Sequence, residues 1–349
     1  METKVCQVTE ESLALAEQYL RQGGVVAFPT ETVYGLGAWA MSEEGAARIF
    51  QVKGRPSDNP LIIHIAPQFD ITSLVSSVPE AASILMKRFW PGPLTLIMPK
   101  GKAISKSITG GLDTVAIRMP AHPAAMALLQ KTGLPIAAPS ANTSGRPSPT
   151  TAEHVLEDLN GKIPLILDGG DCQVGLESTV LDLTSEVPMI LRPGAITKEM
   201  LEEVLPEVAV DPAVQQAKTV QPNVKPKAPG MKYRHYAPKG RLIVTDASAE
   251  KLSELIREAI RSGKKTGVIV TRQLAEELTS CMGEIPAEVI CLGDRTKPEE
   301  LASELFGALR AADERELEWI YGEALSREGV GEAIMNRFLK ASSEQLWFQ

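Results

Sequence analysis

Several features that mark common protein classes are missing from this 349-residue chain. Its four cysteines form no CxxC pair, so neither a zinc site nor a disulfide framework is expected. No apolar run approaches the roughly 18 residues of a membrane helix, and the amino-terminus has no apolar segment typical of a signal peptide. We therefore expect a cytoplasmic protein without membrane contact.

Familiar phosphate-binding and catalytic motifs are also missing. The chain has no GxxxxGK[ST] loop, and Gly35-Leu36-Gly37 does not continue into a GxGxxG loop. GxSxG and HExxH are absent as well. These absences disfavour a familiar kinase or dehydrogenase.

Charge is distributed unevenly along the chain. Acidic residues (44) outnumber basic residues (36), for a net charge of −8, which is the wrong sign for a general nucleic-acid coat. The segment 218–241, however, contains bases and no acid. Such a segment either remains solvated or lies against an anionic group.

Apolar β-branched runs alternate with helical patterns and predict an α/β protein. Residues 1–205 read as one mixed domain, with strands at 25–30, 61–66, 95–99, 114–120, 135–141, 164–170, 178–183 and 188–194. The proline-rich and basic stretch 206–240 is predicted to be a linker. Residues 241–349 show a βαβαβ alternation, which indicates a smaller, Rossmann-like second domain.

Polar residues collect at the predicted strand ends of the first domain. Lys53 and Arg55 share a loop stiffened by prolines, which suits a polyphosphate, although a solvated basic loop is the simpler interpretation. His64 and Arg118 lie within apolar strands, where a core histidine and a structural ion pair are the alternatives. The Ser/Thr/Asn-rich loop 139–149 could form an anion cradle or a plain turn. One bound anion would explain these features together.

Eight motifs resemble those of the threonylcarbamoyl-AMP synthases, in their long two-domain form with an N-terminal YrdC-like domain. They are PTETVYGLG, KGRPSDNPLIIHI, FWPGPLTLIM, TVAIRMPAHP, APSANTSGRPSPT, GLESTVLDL, ILRPGAIT and PGMKYRHYAP. One departure is Ala228, where the family often has serine.

The resemblance implies a twisted open mixed sheet with a basic concave face, followed by the Rossmann-like domain. It implies synthesis of threonylcarbamoyl-AMP from L-threonine, bicarbonate and ATP, with release of pyrophosphate and with Mg²⁺. Partner proteins would then form threonylcarbamoyladenosine in tRNAs that read codons beginning with A. Weak direct contact with tRNA is left open.

The resemblance also implies site residues. The threonine pocket would comprise Thr32, His64, Arg118, Ala138 and Ser178, with Arg118 on the substrate carboxylate. ATP would be held by Arg55, Asn59, Thr114, Ser140, Ser148, Arg192, His235 and Tyr236. Lys53 and Arg55 would stabilise charge during catalysis. No side-chain nucleophile and no metal ligand from a side chain is expected.

Two other hypotheses stand beside the synthase. A non-enzymatic RNA-binding module could use the basic concave face, although only 5% of the residues are aromatic and RNA readers interleave aromatics with bases. The second domain could instead be a regulatory or docking module without catalysis. The Pro-rich linker is expected to fold over the loaded active site as a lid.

Overall fold

The computed structural model describes residues 2–215, 226–228 and 236–348. They form two compact units, one of residues 1–144 with 148–233 and one of residues 145–147 with 234–349. His235, which the resemblance places at ATP, lies outside the described residues, as do residues 216–225 and 229–235 of the predicted linker.

The first unit contains a mixed sheet. Its strands are β1 (Lys4–Gln7), β2 (Val26–Phe28), β3 (Gly35–Trp39), β4 (Ile62–His64), β5 (Leu94–Pro99), β6 (Thr114–Arg118), β7 (Ile136–Ala138), β8 (Leu165–Asp168), β9 (Thr179–Asp182), β10 (Met189–Arg192) and β11 (Ala209–Val210). They are ordered β1-β8-β2-β3-β7-β4-β6-β5-β9-β10-β11, with parallel and antiparallel neighbours.

Helices accompany this sheet: α1 (Glu10–Arg21), α2 (Glu43–Lys53), α3 (Glu80–Phe89), α4 (Lys106–Thr109), α5 (Pro123–Thr132), α6 (Ala152–Leu159), α7 (Lys198–Glu202) and α8 (Pro212–Gln215). Local sequence fixes several of their ends. Thr9 caps α1 and Ser42 caps α2, each accepting a backbone N–H of the first turn. Gly54 ends α2 at φ 61°, a conformation that glycine adopts without strain, and so opens the loop that carries Arg55.

The second unit is a doubly wound parallel sheet. Its strands are β12 (Arg241–Thr245), β13 (Thr266–Val270), β14 (Glu288–Cys291), β15 (Trp319–Glu323) and β16 (Glu344–Leu346), in the order β14-β13-β15-β12-β16. The helices are α9 (Ala249–Arg261), α10 (Arg272–Met282), α11 (Pro298–Glu314) and α12 (Val330–Ala341). The predicted Rossmann-like architecture is confirmed.

The structure adds elements that the sequence did not indicate. Gly35–Trp39 is a strand, and no strand was predicted for this part of PTETVYGLG. Strand β11 and helix α8 lie inside 206–240, the stretch predicted to be a linker. The main sheet therefore continues beyond residue 205, because Ala209 pairs with Met189 of β10.

Among the described residues, no helix combines the length and apolar character needed to cross a membrane.

Two glycines of the second unit differ in whether a side chain could replace them: Gly322 in strand β15 and Gly307 in helix α11. A Cβ on Gly322 would lie 2.4 Å from Cζ of the buried Phe338, whereas a Cβ on Gly307, within α11, would meet nothing within 4 Å. We expect Gly322→Ala to destabilise the unit by about 1–3 kcal/mol through overpacking. Gly307→Ala should stabilise it by about 0.5–1 kcal/mol, because alanine favours a helix. Chemical denaturation of both variants checks this, and equal shifts would contradict the packing argument.

Candidate active site

One row of paired residues crosses five strands of the first sheet. His64 pairs with Arg118, Arg118 with Thr95, and Thr95 with Val180, which pairs in turn with Arg192. Neighbouring strands lie about 4.8 Å apart, so polar side chains from β4, β5, β6 and β10 meet on one face. A β-bulge between Ile190 and Arg192 shifts the register there, and such bulges redirect side chains.

The buried guanidinium of Arg118 is the centre of this row. It is 3% exposed and forms an ion pair with Glu31, with 2.7 Å between Nη2 and Oε1. Its Nη1 donates to Oγ1 of Thr32 at 2.8 Å, and its Nε donates to the carbonyl of Gly92 at 3.2 Å. Arg118 thus ties the turn before β3 to the end of β6.

His64 lies beside Arg118 as a neutral imidazole. Burial, and secondarily the Arg118 charge, lowers the pKa of His64 to about 3. Its ring stands edge-on to Phe28, with 6.0 Å between centroids. Its Nδ1 has no hydrogen-bond partner among the described residues. A buried polar atom in this state is suited to a ligand.

Ser178 is held by groups on both sides. Its Oγ lies 2.8 Å from Oγ1 of Thr95 and accepts from Nη2 of Arg192 at 3.1 Å. Nε of Arg192 also donates to the Ser178 carbonyl at 3.0 Å. Because Thr95 pairs with Arg118 on the neighbouring strand, Ser178 and Arg192 lie next to Arg118 and its partners. Arg118 and Ser178, both predicted for the threonine pocket, therefore lie close together, and Ala138 is buried in the neighbouring β7.

Lys53 holds the loop that follows β7. Its ammonium is buried and donates to the carbonyls of Ser140, at 2.5 Å, and Asn142. The Ser140 hydroxyl donates to Oδ1 of Asn142 at 2.5 Å. Ser144 completes the loop by donating to the Lys53 carbonyl at 2.9 Å. The sequence associated Lys53 with phosphates, and the structure shows it as the support of the Ser140 loop.

The remaining residues predicted for ATP lie around this loop and at the start of β6. Arg55 donates to the Pro60 carbonyl at 3.2 Å, and Asn59 is buried with Oδ1 lacking a partner among the described residues. Thr114 begins β6, four residues before Arg118 and on the same face.

Ser148, also predicted for ATP, donates to Oε1 of Glu177 at 2.6 Å. Glu177 directly precedes Ser178, so these groups continue the polar row.

Tyr236 belongs to the second unit. Its side chain is 6% exposed, and its ring centroid lies 5.1 Å from that of Phe306 in α11. Its backbone has φ 69°, which is uncommon for a residue other than glycine.

A described fragment of the predicted linker lies on the face of the sheet that carries the polar row. Ala228 is fully buried in a cluster with Ile62, Ile97 and Ala116, which form the neighbouring row. Lys227 forms an ion pair with Asp182 at 2.9 Å. The alanine that departs from the family's usual serine therefore makes an apolar contact at this position.

Sequence reasoning missed several residues of this site. Glu31, Thr95, Asn142 and Glu177 are all buried and bonded to predicted site residues. One sequence feature could have identified Glu31 as a site residue, because it is an acid flanked by two threonines directly after a predicted buried strand. Within the described ranges, no group of three or more His, Cys, Asp or Glu residues could hold a metal ion.

Two family models match the chain. The Sua5, YciO and YrdC model, described as "Telomere recombination", matches residues 18–194. A model described as "Threonylcarbamoyl-AMP synthase, C-terminal domain" matches residues 196–343.

Close relatives carry one name. Proteins named threonylcarbamoyl-AMP synthase from Pyrococcus abyssi (strain GE5 / Orsay) and Bacillus subtilis (strain 168) are each 48% identical to this chain over 97% of its length, and the matches span 96% and 95% of those proteins. A crystal structure of P. abyssi Sua5 complexed with L-threonine matches with a TM-score of 0.90 and 47% identity, over 100% of this chain and 99% of that one. The chain therefore belongs to the threonylcarbamoyl-AMP synthase family.

Proposed function

We propose that this enzyme makes threonylcarbamoyl-AMP from L-threonine, bicarbonate and ATP and releases pyrophosphate. The observation that carries the proposal is the buried row of His64, Arg118, Thr95 and Arg192, in a chain of this family. It combines a cation for a carboxylate with hydroxyl and imidazole groups for a small polar substrate. Pyrophosphate release that requires all three substrates together is the test.

The proposed threonine pocket uses Arg118 for the substrate carboxylate. Thr32 and Ser178 supply hydroxyls, and Nδ1 of the neutral His64 supplies a further hydrogen-bonding atom. Ala138 contributes through its backbone. Glu31 balances the Arg118 charge before substrate arrives, so it is a positioning residue in this proposal.

The proposed ATP site comprises Arg55, Asn59, Thr114, Ser140, Ser148 and Arg192, with His235 and Tyr236 approaching from the linker. Lys53 keeps Ser140 in place through the carbonyls of the loop and adds positive potential. Arg55 and Arg192 are the cations proposed to face the phosphates. Fixed cations stabilise charge that develops on phosphate oxygens in the transition state.

The proposed reaction needs no side-chain nucleophile. The threonine amine combines with bicarbonate to give a carbamate, with loss of water. A carbamate oxygen then attacks the α-phosphate of ATP, and pyrophosphate leaves. The protein aligns the two reactants and stabilises their charges. A lid formed by the linker would exclude water from the mixed anhydride, and the packing of Ala228 and Lys227 on this face supports such closure.

Mg²⁺ is part of the proposal as a companion of ATP. It takes oxygen ligands and is commonly held by substrate phosphates with one or two carboxylates. Glu177, beside Ser148, is the acid within the proposed nucleotide site and fits that limited role. When bound, the ion would neutralise phosphate charge.

We further propose three parts for the chain: a catalytic domain of 1–205, whose sheet is extended by β11 to residue 210, a linker formed by the rest of 206–240 that contacts the active site, and a Rossmann-like domain of 241–349. The enzyme would work in the cytoplasm and supply partner proteins that modify tRNA. The alternative of a non-enzymatic RNA-binding module is not favoured, because the relatives over the whole chain are named as synthases.

A first prediction separates folding from substrate binding at Arg118. Arg118→Gln leaves Glu31 buried without its cation, so the free energy of unfolding should fall by about 3–5 kcal/mol. The KM for threonine should rise by about 10²-fold or more, because a buried charge pair with the substrate is lost. The double variant Glu31→Gln/Arg118→Gln should recover much of the stability and none of the threonine affinity. Urea unfolding and pyrophosphate release measure both, and a wild-type KM in the double variant contradicts the pocket.

A second prediction concerns Arg55. Arg55→Ala should weaken ATP binding and lower turnover by on the order of 10²-fold or more, with thermal stability nearly unchanged because the side chain is only partly buried and lies in a loop. The matched control is Arg48→Ala, an exposed arginine on α2, which should keep normal activity. Normal turnover in Arg55→Ala would remove this residue from the site.

A third prediction concerns the substrate hydroxyl. A site built to bond a hydroxyl strongly rejects analogues without one, yet it discriminates poorly over a single methyl group. Serine should therefore be a weak alternative substrate, whereas 2-aminobutyrate should show a kcat/KM lower by on the order of 10³-fold or more. Competition assays of pyrophosphate release compare the three amino acids. Equal rates with threonine and 2-aminobutyrate would show that the hydroxyl is not recognised.

A further inference from the structure

The second unit contains a cavity at the point where its chain connections diverge. Tyr321 of β15 belongs to the apolar cluster that includes α9 and α10, while the next residue, Gly322, faces Phe338 of α12. Successive strand residues point to opposite faces, so α9 and α12 cover opposite faces of the sheet. The chain thus leaves the adjacent strands β12 and β15 in opposite directions, which opens a crevice at their carboxyl ends, where α/β folds bind ligands.

The cavity has a volume of about 460 Å³, within the range of about 300–1,000 Å³ found for small-molecule sites. Its lining includes residues at the carboxyl ends of β12 and β15, among them Thr245, the last residue of β12, and Ala324, which directly follows β15. The two strand ends are joined there, because Ala324 donates to the Thr245 carbonyl at 2.8 Å. Gly331 shows how closely the rim is packed, since a Cβ there would lie 2.1 Å from the Ser326 carbonyl oxygen.

Apolar side chains form opposing walls of the cavity. Leu274 comes from α10, Leu301 from α11 and Ile334 from α12. Leu274 and Leu301 are 5% and 3% exposed, so a small part of each side chain can contact a ligand, whereas Ile334 is 0% exposed and borders the cavity without accessible surface. Aliphatic walls from helices on both faces of the sheet are suited to a flat, apolar ring.

The charged side chains around the cavity disfavour phosphate. Four carboxylates line it, and Arg295 is the single cation among its lining residues. Glu323, which is 6% exposed, holds that arginine, with 2.9 Å between Nη2 and Oε1, and accepts the Thr271 N–H at 2.6 Å. The arginine charge is therefore already balanced, and no glycine-rich loop follows β12.

Two of the carboxylates can serve a ligand that donates hydrogen bonds. Asp246 directly follows β12, and Glu328 lies in the segment between β15 and α12. In Rossmann-like sites, an acidic residue near a strand end accepts hydrogen bonds from ribose hydroxyls. A ribose with free hydroxyls therefore suits the polar side of the cavity. A flat base suits its apolar side.

We propose that this cavity binds an unphosphorylated nucleoside, with its base against Leu274 and Leu301, near the buried Ile334, and its ribose hydroxyls on Asp246 and Glu328. The site is separate from the residues proposed for catalysis. It gives the second unit a ligand of its own, which differs from ATP in lacking phosphate.

The test uses the full chain with ¹³C-labelled isoleucine methyl groups and adenosine as the probe. Adenosine should shift the Ile334 methyl signal, identified with Ile334→Val, in a saturable manner. AMP should bind at least about tenfold more weakly, since its phosphate enters a site with an excess of acids. The signals of Ile62, which lies two residues before His64 and on the same face of the first sheet, report any binding there.

Three variants sharpen the test. Ser326→Trp places a large ring at the rim from an exposed position and should abolish the Ile334 shift while pyrophosphate release persists. Asp246→Asn retains an acceptor for the Phe348 N–H and should weaken adenosine about fivefold to tenfold, the difference between charged and neutral hydrogen bonds. Glu276→Gln, an exposed acid on α10 outside the cavity, should leave binding unchanged.

Several outcomes would overturn the proposal. These are no saturable Ile334 shift at millimolar adenosine, a shift confined to Ile62, or equal affinity for adenosine and AMP. A response retained in Ser326→Trp would also place the ligand elsewhere.

Discussion

Burial of the Arg118 charge is the constraint on which the first unit depends. A guanidinium removed from water is tolerated only when its hydrogen bonds and its charge are satisfied. Glu31 balances the charge, while Thr32 and the Gly92 carbonyl each accept one hydrogen bond from the guanidinium, and these partners come from two separate connections. The turn before β3 must therefore fold over the end of β6, and this places Thr32 beside a cation that can also bind a substrate carboxylate.

The strands that the sequence predicts are those whose local composition indicates that they are buried. Runs such as LIIHIA and TVAIRMP are apolar and β-branched, and they become β4 and β6. Strand β3 was missed because its sequence is GLGAW, and glycine disfavours strands. Tertiary packing requires glycine at position 37 of this strand, since a Cβ there would lie 2.7 Å from both Ile136 and Phe28. Only three-dimensional packing reveals why glycine is needed there.

The site shows the same division between local and long-range information. The resemblance named Arg118, Ser178 and Arg192 as binding residues, yet it did not name Glu31 or Thr95, which bond to Arg118 and Ser178. Thr95 and Ser178 are 83 residues apart, and Ser148 and Glu177 are 29 apart. Spacing along the chain does not encode such contacts. Lys53 is a further example, because its bonds to the carbonyls of Ser140 and Asn142 span 87 and 89 residues and were not foreseen from the sequence.

The two units use charge in opposite ways at comparable places in their folds. In the first unit, arginines come to one face of a sheet and are held by carbonyls, hydroxyls and one buried acid. In the second, acids collect at strand ends, and the arginine among them is neutralised by Glu323. Coulombic attraction in a partly buried site is several times stronger than in water, so the sign of the lining decides which ligands enter. A polyphosphate suits the first arrangement and is repelled by the second, and the same chain can therefore distinguish a nucleotide from a nucleoside by charge before any base is recognised.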